Sequence, residues 1–191
     1  MKHEGNKIHV FSSEVIPKKV YFGPVPNAQQ VALLQSENFK YIVNVMSFNE
    51  KQKYVYPIPP SSVMQVLYFP IPDQRVPFHV HHFLRWIEYL GKVLVHMKPD
   101  EKMYIHCRGG HGRSGLVAGC LFYWYSRIYQ CSYITGEECI NHMTIAHCRR
   151  QGLNPKYLGQ KCPVAKCQQQ FIKSLERMET VWKVNSKILK I

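Results

Sequence analysis

His106-Cys107-Arg108-Gly109-Gly110-His111-Gly112-Arg113-Ser114-Gly115 decides the reading of this chain. The β-prone run Lys102-Met103-Tyr104-Ile105 precedes it, and the apolar run Leu116-Val117-Ala118-Gly119-Cys120-Leu121-Phe122 follows. A strand, a glycine-rich turn and a helix beginning near Ser114 are expected in that order, with the cysteine at the strand end. Glycines let the backbone turn tightly and approach a ligand closely. Successive N–H groups in such a turn converge into an anion-binding nest. The helix start adds unpaired N–H donors and the positive end of its dipole. The same field favours a thiolate over a thiol at Cys107. Arg113 brings a planar fork suited to two phosphate oxygens, and Ser114 is placed to hydrogen-bond the sulfur. Arg108, Gly109, Gly110, His111, Gly112 and Arg113 are the candidate phosphate-binding positions around a nucleophilic Cys107.

On either side of this stretch, strand and helix patterns alternate. Val20-Tyr21-Phe22-Gly23 reads as a short strand and Pro24 to Asn27 as a turn. Asn27 to Glu37 reads as a helix with Val31, Leu33 and Leu34 on its apolar side. Tyr41 to Met46 is a strand. The proline-bearing, charged stretch Ser47 to Ser62 reads as a loop. Val66 to Phe69 is a strand running into Pro70-Ile71-Pro72-Asp73. His79 to Met97 carries Phe83, Trp86, Ile87, Leu90, Val93, Leu94 and Met97 at helical spacing. Lys98-Pro99-Asp100 ends it. Gly115 to Tyr125 reads as a buried helix, and Thr135 to Arg150 and Pro163 to Val184 as two more. Such alternation indicates an α/β domain whose central, mostly parallel twisted sheet is flanked by helices. No repeat or linker divides the chain, so residues 1–191 are expected to form one domain.

Composition narrows the class. Apolar residues make up 46% of the 191, enough for a full core. No stretch reaches the roughly 18 apolar residues of a membrane span. Met1 to Lys7 has no apolar signal core, so secretion is not expected. Seven cysteines, at 107, 120, 131, 139, 148, 162 and 167, include no Cys-x-x-Cys pair. That pattern argues against a disulfide framework and a zinc ribbon; Cys162 and Cys167 alone are close enough to raise a metal, and none is expected. A reducing, cytoplasmic or nuclear, setting fits the thiols. The net charge of +13 favours phosphorylated, acidic or nucleic-acid partners without choosing among them.

The segment His106-Cys107, five residues, Arg113-Ser114-Gly115 resembles the signature of the cysteine-dependent protein tyrosine and dual-specificity phosphatases. The resemblance extends from about residue 18 to 180: Phe22-Gly23-Pro24-Val25-Pro26, the Ile42-Val43-Asn44-Val45 strand and the Asp73 loop come in family order. It implies a compact dual-specificity-type domain and phosphate-ester hydrolysis through a phosphocysteine, with no cofactor and no metal. It also implies that His106 supports the loop from behind.

Protonating a leaving oxygen calls for a positioned acid, and the chain has two aspartates. Asp100 stands at the start of the strand that leads to Cys107, at the wrong end of a sheet. Asp73 follows a strand, and if that strand runs parallel to the one ending at Cys107, both emerge on the edge where open α/β sheets hold ligands. Phe69-Pro70-Ile71-Pro72-Asp73 also resembles the family's general-acid loop. Glu50, within a long unconstrained stretch, is a weaker candidate. Gln168 matches the family's water-orienting glutamine, although Val164-Ala165 stands where the family has Glu-Thr. The run Gln168-Gln169-Gln170 reads first as an exposed polar helix face. His111, inside the loop, is expected to face solvent at the rim. Phosphoprotein is the expected substrate. RNA 5′ phosphates, phosphoinositides and a non-catalytic phosphate-binding role are the alternatives, and the oligomeric state is open.

Overall fold

The computed structural model describes residues 8–58 and 63–182. A five-stranded sheet forms its centre, in the order β1-β2-β5-β3-β4. The strands are β1 (Ser13–Ile16), β2 (Val20–Gly23), β3 (Phe39–Asn44), β4 (Gln65–Tyr68) and β5 (Lys102–His106). Only β1, at one edge, is antiparallel; β2, β5, β3 and β4 run parallel. The register aligns their C-terminal ends, with Gly23 and Asn44 both opposite His106, and Tyr68 opposite Asn44. Everything leaving those four strands therefore starts from one edge.

Helices cover both faces. On one side α1 (Ile8–Phe11) and α2 (Ala28–Ser36) contribute Ile8, Phe11, Val31 and Leu34 to a small core with Phe39, Ile42 and Tyr104. On the other, α4 (Val80–His96), α5 (Arg113–Trp124), α6 (Gly136–Cys148), α7 (Lys166–Lys173) and α8 (Leu175–Met178) enclose the main core. α5 is buried on nearly all sides, as an apolar helix at the centre of a fold must be. Among the described residues no helix is long and apolar enough to cross a membrane.

Local signals account for the helix starts. Asn27 with Gln30, and Thr135 with Glu138, form reciprocal capping boxes that open α2 and α6. The same device corrects one expectation. Ser47 to Ser62 is not all loop: Ser47 and Glu50 make a third capping box, and α3 (Phe48–Lys53) follows it. Residues 59–62 of that stretch lie outside the described residues. The helix expected over Pro163 to Val184 starts at Lys166 and breaks between Lys173 and Leu175; residues 183 and 184 lie outside the described residues. α1 and β1 had no counterpart in the sequence reading, being four residues each.

Candidate active site

At the edge where the parallel strands end, a cavity of about 400 Å³ opens. Its floor is the segment that follows β5. Cys107 is 3% exposed. Its Sγ accepts a hydrogen bond from the Gly110 N–H at 3.2 Å and lies 3.4 Å from Ser114 Oγ. Gly110 has φ +75°, and a Cβ there would fall 2.3 Å from Pro24 N and 2.4 Å from Gly23 C. Both neighbours are backbone, so only glycine fits, and its N–H is turned inward as a result. Gly112 caps α5, placing the helix N-terminus beneath the loop. Arg108 and Gly109 are exposed, and the Arg108 carbonyl accepts from Val25 N at 3.2 Å.

His106 sits behind this floor, fully buried. Its Nε2 meets Tyr56 Oη at 2.8 Å and its Nδ1 lies 3.4 Å from the Cys107 carbonyl. Burial lowers its pKa to about 4, against a smaller opposing effect of that carbonyl. A second brace comes from α6 and the residues after it. Arg150 is buried and donates to the Gly110 carbonyl at 2.9 Å, the Phe22 carbonyl at 3.3 Å and Ser13 Oγ at 3.1 Å. Sequence reasoning had no signal for Arg150, whose partners are up to 137 residues away in the chain.

Arg113 is 2% exposed and is held from two directions. Glu50 takes both terminal nitrogens: Oε2 accepts from Nη1, and Oε1 accepts from Nη2 at 2.9 Å. Asp73 Oδ1 lies 2.9 Å from the same Nη2, and the Ile71 carbonyl accepts from Nη1 at 3.3 Å. Arg113 Nε is buried without a hydrogen-bond partner among the described residues. Hydrogen bonding to Arg113 holds the Glu50 carboxyl well down, at about 2, against the opposing effect of burial. Asp73 itself is more than half exposed and reaches the site from the turn after β4, which Phe69 N and Ile71 N pin to the Asn44 and Val45 carbonyls. Asp100 lies at the other end of the sheet, accepting from Asn38 Nδ2 at 2.6 Å.

Two expectations fail here. His111 is half-buried instead of open to solvent. Its ring stacks on Tyr157, with centroids 3.7 Å apart, and its Nδ1 lies 2.9 Å from Nε2 of the buried His147. Nor does Gln168 lie on an exposed helix face. It is fully buried at the start of α7, donates through Nε2 to the Arg75 carbonyl at 2.8 Å and leaves Oε1 without a partner among the described residues. That oxygen points at Gly112, where the absent side chain leaves room for it. Of the neighbouring glutamines, Gln169 bonds the Pro163 carbonyl and Gln170 is exposed. Burial of the helix face, invisible in a polar triplet, sets the three apart. Glu50, the weaker acid candidate by sequence, stands on α3 and not in a loop, and the Ser-x-x-Glu spacing at Ser47 to Glu50 is the sequence signal for that helix.

Cys107, Arg113, Asp73, Gln74, Tyr157, Val164, Ala165 and Gln168 all line the one cavity. Such an arrangement sets a buried thiol under the inward-facing Gly110 N–H, beside a fixed cation and an exposed carboxyl. Cys162 and Cys167, the pair that raised a metal, are engaged separately. Cys162 Sγ lies 3.6 Å from the His111 carbonyl, and Cys167 Sγ lies 3.3 Å from the Gln74 carbonyl.

Comparison with known proteins agrees with this geometry. The family model described as "Swiss Army Knife protein, DSP-PTPase phosphatase domain" matches residues 10–154. The chain is 37% identical over 130 residues to a protein of Invertebrate iridescent virus 6 named "Putative tyrosine phosphatase 197R", covering 68% of this chain and 46% of that one. It is 34% identical over 109 residues to "Putative tyrosine phosphatase 067L" of Invertebrate iridescent virus 3, covering 57% and 44%. The chain thus spans about half the length of the curated relatives it matches. Among solved structures, kinase associated phosphatase superposes with a TM-score of 0.66 over 90% of this chain and 96% of that one, at 19% identity.

Proposed function

The chain belongs to the DSP-PTPase phosphatase family, and we propose that it hydrolyses phosphate monoesters of phosphoproteins, phosphotyrosine among them, through a phosphocysteine. Cys107 thiolate attacks phosphorus and the ester P–O bond breaks. Asp73 gives its proton to the leaving oxygen. Water then attacks phosphorus, the P–S bond breaks, the water proton passes to Asp73, and Ser114 hydrogen-bonds the departing sulfur. Loop N–H groups and Arg113 hold the equatorial oxygens, and their preorganised charge supplies most of the rate enhancement. His106 acts through the loop, not on the substrate.

The observation that carries this reading is the state of Arg113. Its Nε is a buried donor with no acceptor among the described residues, a state native structures rarely leave without a purpose. Asp73 meanwhile shares Nη2 with Glu50. A phosphate dianion entering beside Cys107 satisfies Nε and competes with the exposed Asp73 for Nη2. Displaced from the guanidinium, Asp73 becomes free to serve the ester oxygen, while Glu50 keeps its grip. The names of the two viral relatives support the same reaction class.

The test is phosphate release from an aryl phosphate by the wild type and by Cys107→Ser. Rapid release by the first and none above background by the second is expected; equal rates would end the proposal. A panel of phosphotyrosine and phosphoserine peptides, phosphoinositides and 5′-triphosphorylated RNA at two salt concentrations separates the substrate classes. Preference for RNA with a steep salt dependence would move the activity from protein to nucleic acid.

A further inference from the structure

We infer that the outer edge of β4, with the small cavity beside it, is a docking site for a protein partner. Its occupant is an extended segment that carries one large apolar side chain between acidic residues. The site lies apart from Cys107 and asks for no phosphate, so it stands or falls separately from the phosphatase proposal.

β4 ends the sheet and, among the described residues, pairs with β3 alone. Phe69 N donates to the Asn44 carbonyl on that side. Backbone groups alternate along a strand, so the N–H and C=O of Tyr68 and of Val66 point the other way, off the sheet. Edge strands are commonly guarded by a charge or a proline; Gln65-Val66-Leu67-Tyr68 has neither. The valines on and beside it are open instead: Val55, Val63 and Val66 are 79%, 67% and 43% exposed.

A cavity of about 170 Å³ adjoins this edge. Val66 lines it from the strand, and Tyr54, Val55, Tyr56 and Ile58 line it from the chain before the strand. A void of about 150 Å³ takes a benzene-sized group, so this one seats a single leucine or phenylalanine side chain. Edge and cavity supply the two halves of strand addition. Main-chain hydrogen bonds give affinity, and a side-chain pocket gives selectivity.

Charge chooses the occupant. Lys51 lines the same cavity, and its Nζ lies 4.1 Å from the centroid of the Tyr68 ring. Lys53 Nζ lies over the Tyr54 ring at 5.8 Å. Both lysines are exposed, whereas the acid next to them, Glu50, is taken up by Arg113. Acidic flanks are attracted here. A second copy of the chain, at net charge +13, is repelled. The place also suits a phosphatase. Asn44, opposite His106 in register, lines the cavity, and Tyr56 Oη meets His106 Nε2 at 2.8 Å. A partner docked at β4 is therefore held beside the edge that carries Cys107.

The experiment uses fluorescent seven-residue peptides without phosphate, titrated into the full chain. One set has acidic ends and Val, Ile, Leu or Phe in the middle; a matched set has lysine ends. The acidic Leu or Phe peptide is expected to bind tightest, about 10-fold or more ahead of its lysine counterpart. N-methylating one alternate set of its amides should weaken it by about 10-fold, and methylating the other set should not, as strand addition requires. Lys51→Glu with Lys53→Glu, and separately Val66→Lys, should each weaken binding by about 10-fold at an unchanged denaturation midpoint. Val55→Asp, at a more exposed position, replaces Val66→Lys if that variant does not fold. Failure of every acidic peptide to bind, or equal binding of the two sets, would overturn the site. So would displacement by inorganic phosphate but not by chloride at the same ionic strength, which would put the peptide over Cys107. Dimerisation of the chain that Val66→Lys abolishes would give the edge to a second copy and overturn the acidic partner.

Discussion

The floor and the walls of the cavity are built on opposite plans. The floor is one continuous segment, Cys107 to Ser114, whose contacts with the sulfur span three and seven residues. The walls and braces come from elsewhere in the chain, among them Glu50 on α3, Asp73 and Gln74 after β4, Arg150 after α6, Tyr157 in its turn, and Gln168 on α7. Their bonds to the floor or to one another span 63 residues for Glu50 and 93 for Gln168. A floor written in eight consecutive residues depends on local backbone geometry and keeps its chemistry wherever the strand and helix around it form. Walls assembled from afar depend on the packing of the whole domain, and they are free to differ between relatives that share the floor.

The sharpest way to break this contrast is at Arg113, which belongs to the floor by sequence and to the walls by its partners. Arg113→Ala is expected to lower kcat/KM for an aryl phosphate by about 10³–10⁵-fold, the scale on which an arginine stabilises a phosphoryl transition state. It also leaves Glu50 and Asp73 facing each other without a cation, so the denaturation midpoint falls. Loss of activity at unchanged stability would show the Glu50 contact to be idle in the fold.

Acid titration separates the two plans next, because the floor is backed by histidines that the fold keeps uncharged. The His106 pKa is lowered from 6.5 to about 4 by burial, and those of His111 and His147 are lowered too, to about 4 and about 3. Between these values and 6.5 the unfolded chain binds protons that the native chain refuses. The stability is therefore intact above pH 6.5 and is lost as pH falls toward 4. His106, wholly buried, accounts for on the order of 3 kcal/mol of that loss. Glu50, held at about 2 by Arg113, adds its own loss only below pH 4.5. Denaturant midpoints measured from pH 7.5 to 4.5 should fall steadily, and His106→Asn should flatten the slope. A flat wild-type profile would mean that these rings gain protons in the folded state.

How far the sequence carried the reading follows the same division. The strand, the turn and α5 were legible because glycines, a β-prone run and an apolar run lie side by side from Lys102 to Phe122. Asp73 was reachable by elimination, since two aspartates and a parallel sheet left one on the edge beside Cys107. Arg150 and Tyr157 were not legible, because nothing near them in sequence marks the carbonyl or ring they meet. His111 and Gln168 were identified as candidates but given the wrong surroundings: solvent for the first and an exposed face for the second. Glutamine is mostly exposed and histidine intermediate, so only tertiary packing decides where either one lies. Glu50 lay between the two cases. Its capping box with Ser47 was written in four residues, whereas its grip on Arg113 was not.

Glu50 and Asp73 sharpen the comparison within the walls, since both carboxylates touch Arg113 Nη2. Glu50 is largely buried and engages two nitrogens; Asp73 is exposed and engages one. Glu50→Gln keeps the shape but removes the charge, and is expected to reduce kcat/KM by about 10–100-fold, the worth of one charged hydrogen bond or a little more. Because Glu50 positions Arg113 and does not exchange a proton with substrate, the pH at which activity falls on the alkaline side should not move. Asp73→Asn, by contrast, should abolish that alkaline limb. A shifted limb in Glu50→Gln would instead make Glu50 the proton donor.

The smallest effect is expected at Gln168, where wall meets wall. Its Nε2 bond to the Arg75 carbonyl ties α7 to the turn that carries Asp73, and Cys167 Sγ lies beside the Gln74 carbonyl one residue earlier. Gln74 is held at φ +55°, a conformation that costs a non-glycine residue something and therefore needs support from outside. Gln168→Ala removes one neutral hydrogen bond, whose net worth of about 1 kcal/mol corresponds to roughly fivefold in kcat. The loss should fall on leaving groups that need a proton and spare those that do not, such as a highly acidic phenol, because what loosens is the placement of Asp73. An equal loss for both kinds of ester would point to the other end of the same side chain. There the unpartnered Oε1, turned toward Gly112, would be the atom that matters, through the water that breaks the P–S bond.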